Sequence, residues 1–243
     1  MYLIIDVGNT RVKVAVIETD TVLEIFVFKK AKIISELKKI TKKYSVTNSI
    51  MSAVATISET KKEKIKKLLQ PILLDSCTNV PFKNLYKTPK TLGVDRIALA
   101  SAAVKKYSNT NVLVIDAGTC ITFDFVNAKN EYLGGAISPG IQMRYKALNT
   151  FTSKLPLLTT KQLENFIGTD TETSMHSGVV NGVSNEIDGV IKQYQKKYQD
   201  LTVVLTGGDT YFLAKQLKSI IFANPNFVLE GLHTILIHNL AND

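Results

Sequence analysis

Two short segments, 110 positions apart, constrain this chain more than anything else in it. Leu3-Ile4-Ile5-Asp6-Val7-Gly8-Asn9-Thr10 and Leu113-Val114-Ile115-Asp116-Ala117-Gly118-Thr119 share one order. Each has an apolar run that reads as a buried strand, then an aspartate, one more residue, a glycine and a small polar residue. A carboxylate at a strand end can hold Mg²⁺ directly or through water. Gly8 lets the backbone turn tightly and approach a ligand. The amides and side chains of Asn9 and Thr10 can donate to phosphate oxygens, and Lys13 adds a positive charge nearby. One such turn ends many ordinary strands. Two at one offset, about half a chain apart, indicate a duplicated unit. Two facing halves, each with a phosphate-binding turn, would clamp a nucleotide.

A chain of 243 residues suffices for one large or two small domains, and 45% hydrophobic residues fill a normal core. No run of about 18 apolar residues is present, so no transmembrane helix is expected. Asp6 interrupts the first apolar run, which argues against a signal peptide. Cys77 and Cys120 have no metal-ligand spacing, and a reduced, cytosolic protein is the simplest expectation. His176, His233 and His238 fit no zinc pattern and read as structural or surface residues. The net charge of +9 is concentrated in residues 29–67, with twelve lysines, three glutamates and no arginine; the rest of the chain is neutral. The lysines alternate with apolar positions at helical spacing, as in two amphipathic helices with solvated faces. The lack of arginine and of interleaved aromatics weighs against nucleic acid.

In chain order, residues 2–7, 11–18 and 21–28 read as three strands. A helix over 35–44 and a strand over 49–54 follow, then a helix opened by a capping box from Thr56 to Glu59 and a strand over 71–74. Residues 81–96 read as a functional loop, with prolines at 81 and 89, leading into Gly93-Val94-Asp95-Arg96 and an alanine-rich helix to Tyr107. An acid in a first turn is an ordinary helix start, but Arg96 there opposes the macrodipole and points to an anionic partner. Residues 107–110 form a polar break, which sets domains at 1–110 and 111–243. The second half has strands over 112–115, 121–126 and 131–137. Ser138 then caps a helix with Pro139 at its first position. Gly134-Gly135 inside a strand predicts close approach of a backbone or ligand. A long helix after residues 168–171 buries a stripe from Met175 to Tyr198. Residues 201–205 form a strand that runs into Thr206-Gly207-Gly208-Asp209, a turn suited to a nucleotide's phosphates or sugar. A final amphipathic helix spans about 229–240.

Taken together, residues 6–10, 93–96, 116–119, 134–135 with 139–140, 168–171 and 206–209 occur in an order that resembles the type III pantothenate kinases, over most of the chain. That family belongs to the acetate and sugar kinase, Hsp70 and actin superfamily. The resemblance therefore implies an α/β protein of two actin-like (ribonuclease H-like) domains, duplicated βββαβαβα units with a central nucleotide cleft. It implies ATP with Mg²⁺, a monovalent cation (K⁺ or NH₄⁺), and a cytoplasmic homodimer whose pantothenate pocket lies near the subunit interface.

Carried over residue by residue, the turn Asp6, Val7, Gly8, Asn9, Thr10, Arg11, Val12 and Lys13 resembles the first phosphate loop, with Asp6 beside Mg²⁺. Asp95 resembles the catalytic base, and Arg96, Gly93, Val94 and Tyr86 the substrate pocket. Asp116 resembles the aspartate for the monovalent cation, Thr119 an ATP contact, Thr171 a pantothenate contact, and Gly207 and Gly208 the nucleotide-side loop. Cys120 departs from the alanine expected there, and a thiol makes the site open to thiol reagents. The reaction implied is phosphorylation of pantothenate to 4′-phosphopantothenate, the first step of coenzyme A biosynthesis. Two rivals are a small-molecule kinase with another acceptor and a non-enzymatic transcriptional accessory protein using the lysine-rich surface.

Overall fold

The computed structural model describes residues 1–162 and 165–242. The first half runs β1 (Tyr2–Val7), β2 (Val12–Glu18), β3 (Thr21–Phe28), α1 (Ile33–Lys43), β4 (Asn48–Ala53), α2 (Glu59–Leu69), β5 (Ile72–Leu73), β6 (Lys83–Asn84) and α3 (Val94–Lys106). The second half runs β7 (Asn111–Ala117), β8 (Cys120–Val126), β9 (Glu131–Pro139), α4 (Ile141–Phe151), α5 (Thr171–Lys197), β10 (Leu201–Thr206), α6 (Thr210–Ala214), β11 (Phe222–Ala223) and α7 (Phe227–Leu240). Two compact units result. The first holds Met1–Ser108, Asn130–Tyr132 and the chain from Asn226 onward; the second holds Asn109–Lys129 and Leu133–Pro225. Among the described residues no helix is long and apolar enough to cross a membrane.

The first sheet has the order β3-β2-β1-β4-β5. Leu3, Ile4, Ile5 and Val7 of β1 have no exposed surface, which is why that strand is a continuous apolar run rather than an alternating one. β1 is antiparallel to β2 and parallel to β4, so Asp6 stands opposite Lys13 on one side and Ser52 on the other. One sheet face packs Leu3, Ile5 and Val7 against Ile33, Leu37 and Ile40 of α1 and Ile65 of α2. The other meets α7, which also packs along α3. The alanines of α3 make that contact possible: a Cβ on Gly231 of α7 would lie 1.8 Å from the Ala98 carbonyl oxygen. A domain cut at residue 110 would leave α7 with the second half, whereas its apolar face (Phe227, Leu229, Leu232, Ile235, Leu236) is buried in the first unit.

The second unit repeats the plan. β7 is antiparallel to β8 and parallel to β10, so Asp116 stands opposite Thr122 and Thr206. The sheet continues as β11-β10-β7-β8-β9. The stripe read on the long helix is buried: Met175, Val179, Val183, Ile187 and Ile191 of α5 lie against the sheet core with Ile115, Phe123 and Leu205. His176 and His233 are buried, and Tyr145 Oη lies 2.7 Å from His176 Nδ1, a structural use of that histidine.

Two helix starts differ from the sequence reading. The capping box from Thr56 to Glu59 does not form. Ile57 is buried in the first core, and Ser58 stays extended as the N-cap without a side-chain cap bond. Nor does Ser138 cap the next helix. β9 continues through Pro139, α4 starts after Gly140, and Arg144 turns its guanidinium back onto the Pro139 carbonyl and the Ser138 hydroxyl, both at 3.0 Å. The Gly134-Gly135 expectation holds: Gly134 has φ 108°, and a Cβ on Gly135 would lie 1.5 Å from the Phe123 carbonyl oxygen.

Candidate active site

β1 delivers Asp6 to the end of the first sheet, where Ser52 Oγ donates to Asp6 Oδ1 at 2.9 Å. Burial raises the Asp6 pKa. The Ser52 bond and the Lys13 charge pull it back down, and the Asp95 charge pushes it up again. Asp6 and Asp95 are therefore close enough to act on each other electrostatically. Beyond Asp6 the turn is closed by the Gly8 amide on the Arg11 carbonyl at 3.1 Å. Gly8 does not use a left-handed φ, and its hypothetical Cβ would meet only the Arg11 carbonyl at 3.3 Å. Asn9, Thr10 and Arg11 are exposed, Val7 and Val12 are buried as the strand ends that carry them, and Lys13 is half-buried.

Asp95 sits in the first turn of α3. Its Oδ1 accepts the Arg96 amide at 2.8 Å. Burial raises its pKa, and the Arg96 amide and charge oppose that rise. Gly93, the N-cap, leaves room for this carboxylate, since a Cβ there would stand 2.5 Å from Asp95 Oδ1. Val94 is the first helical residue. Arg96 is 5% exposed, and its guanidinium lies 5.7 Å from the Tyr86 ring centroid. Tyr86 is placed by its amide on Asn84 Oδ1 at 3.0 Å and by Tyr132, ring to ring at 6.1 Å. The first unit thus brings Asp6, Lys13 and Asp95 within electrostatic reach, and groups Tyr86, Gly93, Asp95 and Arg96. A carboxylate held near an arginine and a tyrosine can take a proton from a hydroxyl while the cation holds an anionic acceptor.

In the second unit the turn after Asp116 is closed by the Gly118 amide on the Cys120 carbonyl at 2.9 Å, with Thr119 exposed. The strand β10 ends beside it. Gly207 has φ 97°, and a Cβ there would sit 2.3 Å from the Ala117 carbonyl and 2.4 Å from Asp116 Oδ1. Asp209 donates its amide to the Ala117 carbonyl at 2.9 Å, Thr210 Oγ1 donates to the Gly207 carbonyl at 2.7 Å, and Gly208 is exposed at the tip. The buried Thr206 hydroxyl, opposite Asp116 in the ladder, has no hydrogen-bond partner among the described residues. Asp209 has its pKa raised by burial. Thr171 opens α5 behind the Asp170 N-cap, whose Oδ1 accepts the Thr173 amide at 2.8 Å. It lines a separate cavity of about 1100 Å³ with Arg144, Phe151, Leu155 and Met175, to which Asp116, Thr119 and the 207–208 turn do not contribute.

Sequence reasoning missed Ser52, Thr206 and Asp209 as site residues. Ser52 gains its place only through the parallel ladder, and nothing in its neighbours announces that; Thr206 stood in the 206–209 motif without a role of its own. Asp209 stood inside a motif whose glycines drew the functional reading.

The family model for type III pantothenate kinase matches residues 2–193. A type III pantothenate kinase from Christiangramia forsetii is 48% identical over 98% of this chain and 99% of the relative. One from Flavobacterium johnsoniae is 45% identical over the whole of both chains. Among solved structures, a protein from Campylobacter jejuni described as a conserved candidate transcriptional activator of the Baf family has a TM-score of 0.64 at 23% identity, covering 98% of this chain and 99% of that one. A glucokinase from an Antarctic psychrotroph has a TM-score of 0.53 at 12% identity, with 98% of each chain covered. The structural likenesses establish the actin-like α/β fold of the sugar kinases and no more. With the family model spanning most of the chain and full-length relatives near half identical, the chain belongs to the type III pantothenate kinase family.

Proposed function

We propose that this protein transfers the γ-phosphoryl group of ATP to the primary hydroxyl of pantothenate, giving 4′-phosphopantothenate and ADP, the first step of coenzyme A biosynthesis. The observation that carries the reading is the half-buried Asp95 carboxylate, which accepts the Arg96 amide beside the Arg96–Tyr86 pair and lies within electrostatic reach of Asp6. Asp95 orients the hydroxyl and accepts its proton as the oxygen–phosphorus bond forms and the bond to the ADP oxygen breaks. A carboxylate whose basicity is raised by burial suits that task. Arg96 holds the pantothenate carboxylate, with Tyr86, Gly93 and Val94 shaping the pocket and Thr171 a further contact.

The exposed amides of Asn9 and Thr10, with Arg11 and Lys13, take phosphate oxygens, and Thr119, Gly207 and Gly208 hold the rest of the nucleotide. Gly207 fits this role, because any side chain there would displace Asp116. Asp6 fits Mg²⁺: one oxygen takes Ser52 and the other remains for the ion or its water. The ion would offset phosphate charge during transfer. Asp116 fits K⁺ or NH₄⁺, since the buried Thr206 hydroxyl across the ladder lacks a partner that such a cation would supply. We place the boundary between the actin-like domains near residue 110, with α7 returning to the first. The exposed Phe151, Phe166 and Ile167 of the second unit favour a homodimer, and two cysteines without a disulfide favour the cytoplasm.

The test is an acceptor panel. Purified protein is incubated with ATP, Mg²⁺ and either K⁺, NH₄⁺ or Na⁺, and with pantothenate, glucose, N-acetylmannosamine or acetate, and the products are weighed by mass spectrometry. Phosphorylation of pantothenate alone, stronger with K⁺ or NH₄⁺ than with Na⁺, is the expected result. Phosphorylation of a sugar or acetate in preference would replace pantothenate as the substrate.

A further inference from the structure

The excess charge of this chain has a place in the fold. All nine net positive charges arise within residues 29–67, and that stretch supplies α1 and α2, the helical layer on one face of the first sheet. Asp95 and α3 belong elsewhere in the unit, and Asp6 lies at a strand end. Lys38, Lys39, Lys42 and Lys43 of α1 and Lys62, Lys64, Lys66 and Lys67 of α2 are all exposed. Three of these eight are neutralised, Lys39 by Glu36, Lys43 by Glu24 and Lys62 by Glu59. The other five have no ion-pair partner among the described residues. Concentrating uncompensated like charge on two adjacent helices raises self-repulsion that a dispersed pattern would avoid.

Beside this layer runs a groove of about 560 Å³ between α2 and β5. Met51 and Ile65 form its floor, Leu73 stands 50% exposed at its lip, and Lys66 and Lys67 line it together with the Lys62–Glu59 pair and Glu63. β5 is the edge strand of the sheet, two residues long and paired only with β4. An edge strand accepts a further extended segment through its backbone.

We propose that this groove docks an acidic extended peptide segment of a partner protein, with one apolar side chain seated on Leu73, Met51 and Ile65 and carboxylates facing the α2 lysines. The excess of lysine on α1 and α2, with Lys66 and Lys67 at the groove itself, favours an acidic partner, and the apolar floor decides its class. A nucleic-acid backbone has nothing to place on Leu, Met and Ile, and the groove has no arginine or aromatic side chain for bases. The site is separate from the residues assigned to ATP and pantothenate.

The test uses full-length protein and three fluorescein-labelled probes at low salt: a peptide of about twelve residues with acidic flanks around Leu-Val-Leu, the same peptide with those three replaced by Ser, and an oligothymidine of equal charge. The apolar acidic peptide should bind at least about tenfold more tightly than either control. Its affinity should fall about tenfold or more in the triple variant Lys62→Glu, Lys66→Glu, Lys67→Glu, and severalfold in Leu73→Ser, while kinase turnover, measured on the same preparations, stays at the wild-type level. No binding of the peptide, or equal affinity for the Ser peptide, overturns the proposal. Tighter binding of the oligothymidine overturns it in favour of a nucleic-acid surface.

Discussion

Ser52 Oγ donates to Asp6 Oδ1 at 2.9 Å across the parallel β1–β4 ladder, whereas Thr206, which faces Asp116 in the corresponding ladder of the second sheet, keeps its buried hydroxyl without a partner among the described residues. The two aspartates occupy equivalent places and differ in what their neighbouring strand offers. Hydrogen bonding by Ser52 favours the ionised form of Asp6 and opposes the desolvation that disfavours it.

Ser52→Ala should therefore raise the Asp6 pKa further and weaken Mg²⁺·ATP use. A hydrogen bond to a charged group contributes about 1.5–3 kcal/mol, so kcat/KM for ATP should fall by about ten- to a hundredfold. Ser52→Thr, which keeps the hydroxyl, should restore most of it. Steady-state kinetics on both variants checks this, and an unchanged kcat/KM in the alanine variant would remove Ser52 from the site.

The half-buried Asp95 makes a prediction about stability as well as rate. Its folded pKa is raised, so the fold favours the protonated form. The sign follows: the contribution of Asp95 to stability is greatest at low pH and is lost as pH rises through the raised pKa. Asp95→Asn removes the ionised state that burial disfavours. Its melting temperature should equal or exceed that of the wild type at pH 8, with the advantage shrinking towards pH 4. Thermal unfolding over that range gives the answer; a melting temperature well below wild type at pH 8 would mean that the carboxylate stabilises the fold.

Gly207 is the one position in the phosphate turns where the backbone demands glycine. Its φ of 97° disfavours any side chain, and a Cβ would press on Asp116 Oδ1 at 2.4 Å. Gly207→Ala should cost about 1–3 kcal/mol in backbone strain and shift Asp116. Lower thermal stability together with weaker activation by K⁺ is expected; loss of stability with K⁺ activation intact would separate Asp116 from the cation.

His233 couples the C-terminal helix to pH. It is buried against Tyr2, ring to ring at 5.6 Å, and its Nε2 has no hydrogen-bond partner among the described residues. Burial lowers its pKa, with Lys105 acting in the same sense and Asp20 and the Thr19 backbone opposing. A lowered imidazole pKa gives stability that is present above the ordinary value and lost as pH falls through the folded one. His233→Phe keeps the ring contact and removes the charge. Its melting temperature should drop less than that of the wild type between pH 7.5 and pH 5, and an equal drop would acquit His233.

The parts of the fold legible in the sequence were those written in local pattern. Strands β1 and β7 announce themselves by apolar runs ending in Asp-x-Gly, β2 by its period of two, and α5 by a stripe from Met175 to Tyr198 that is buried at Met175, Val179, Val183, Ile187 and Ile191 and half-buried at Val190, Tyr194 and Tyr198. What stayed hidden depends on partners far away in the chain. Ser52 meets Asp6 across 46 positions. α7 leaves the second half because α3 offers alanines for Gly231 to approach. Local signals failed where packing overruled them: Ile57 is drawn into the core ahead of α2, and β9 holds Pro139 in the strand when a capping pattern would begin a helix. The site divides the same way. The motif residues were visible as motifs, but the grouping of Arg96 with the tilted rings of Tyr86 and Tyr132 is a tertiary product.

The most direct measurement is product formation from pantothenate and ATP by the wild type beside Asp95→Asn, with Mg²⁺ and K⁺ present. The account predicts 4′-phosphopantothenate from the wild type and a turnover lower by about 10²–10⁴ in the variant, the usual contribution of a general base, with a folded protein of at least wild-type stability. Near wild-type turnover by Asp95→Asn would contradict the role of Asp95, and no phosphorylated pantothenate from either protein would contradict the account itself.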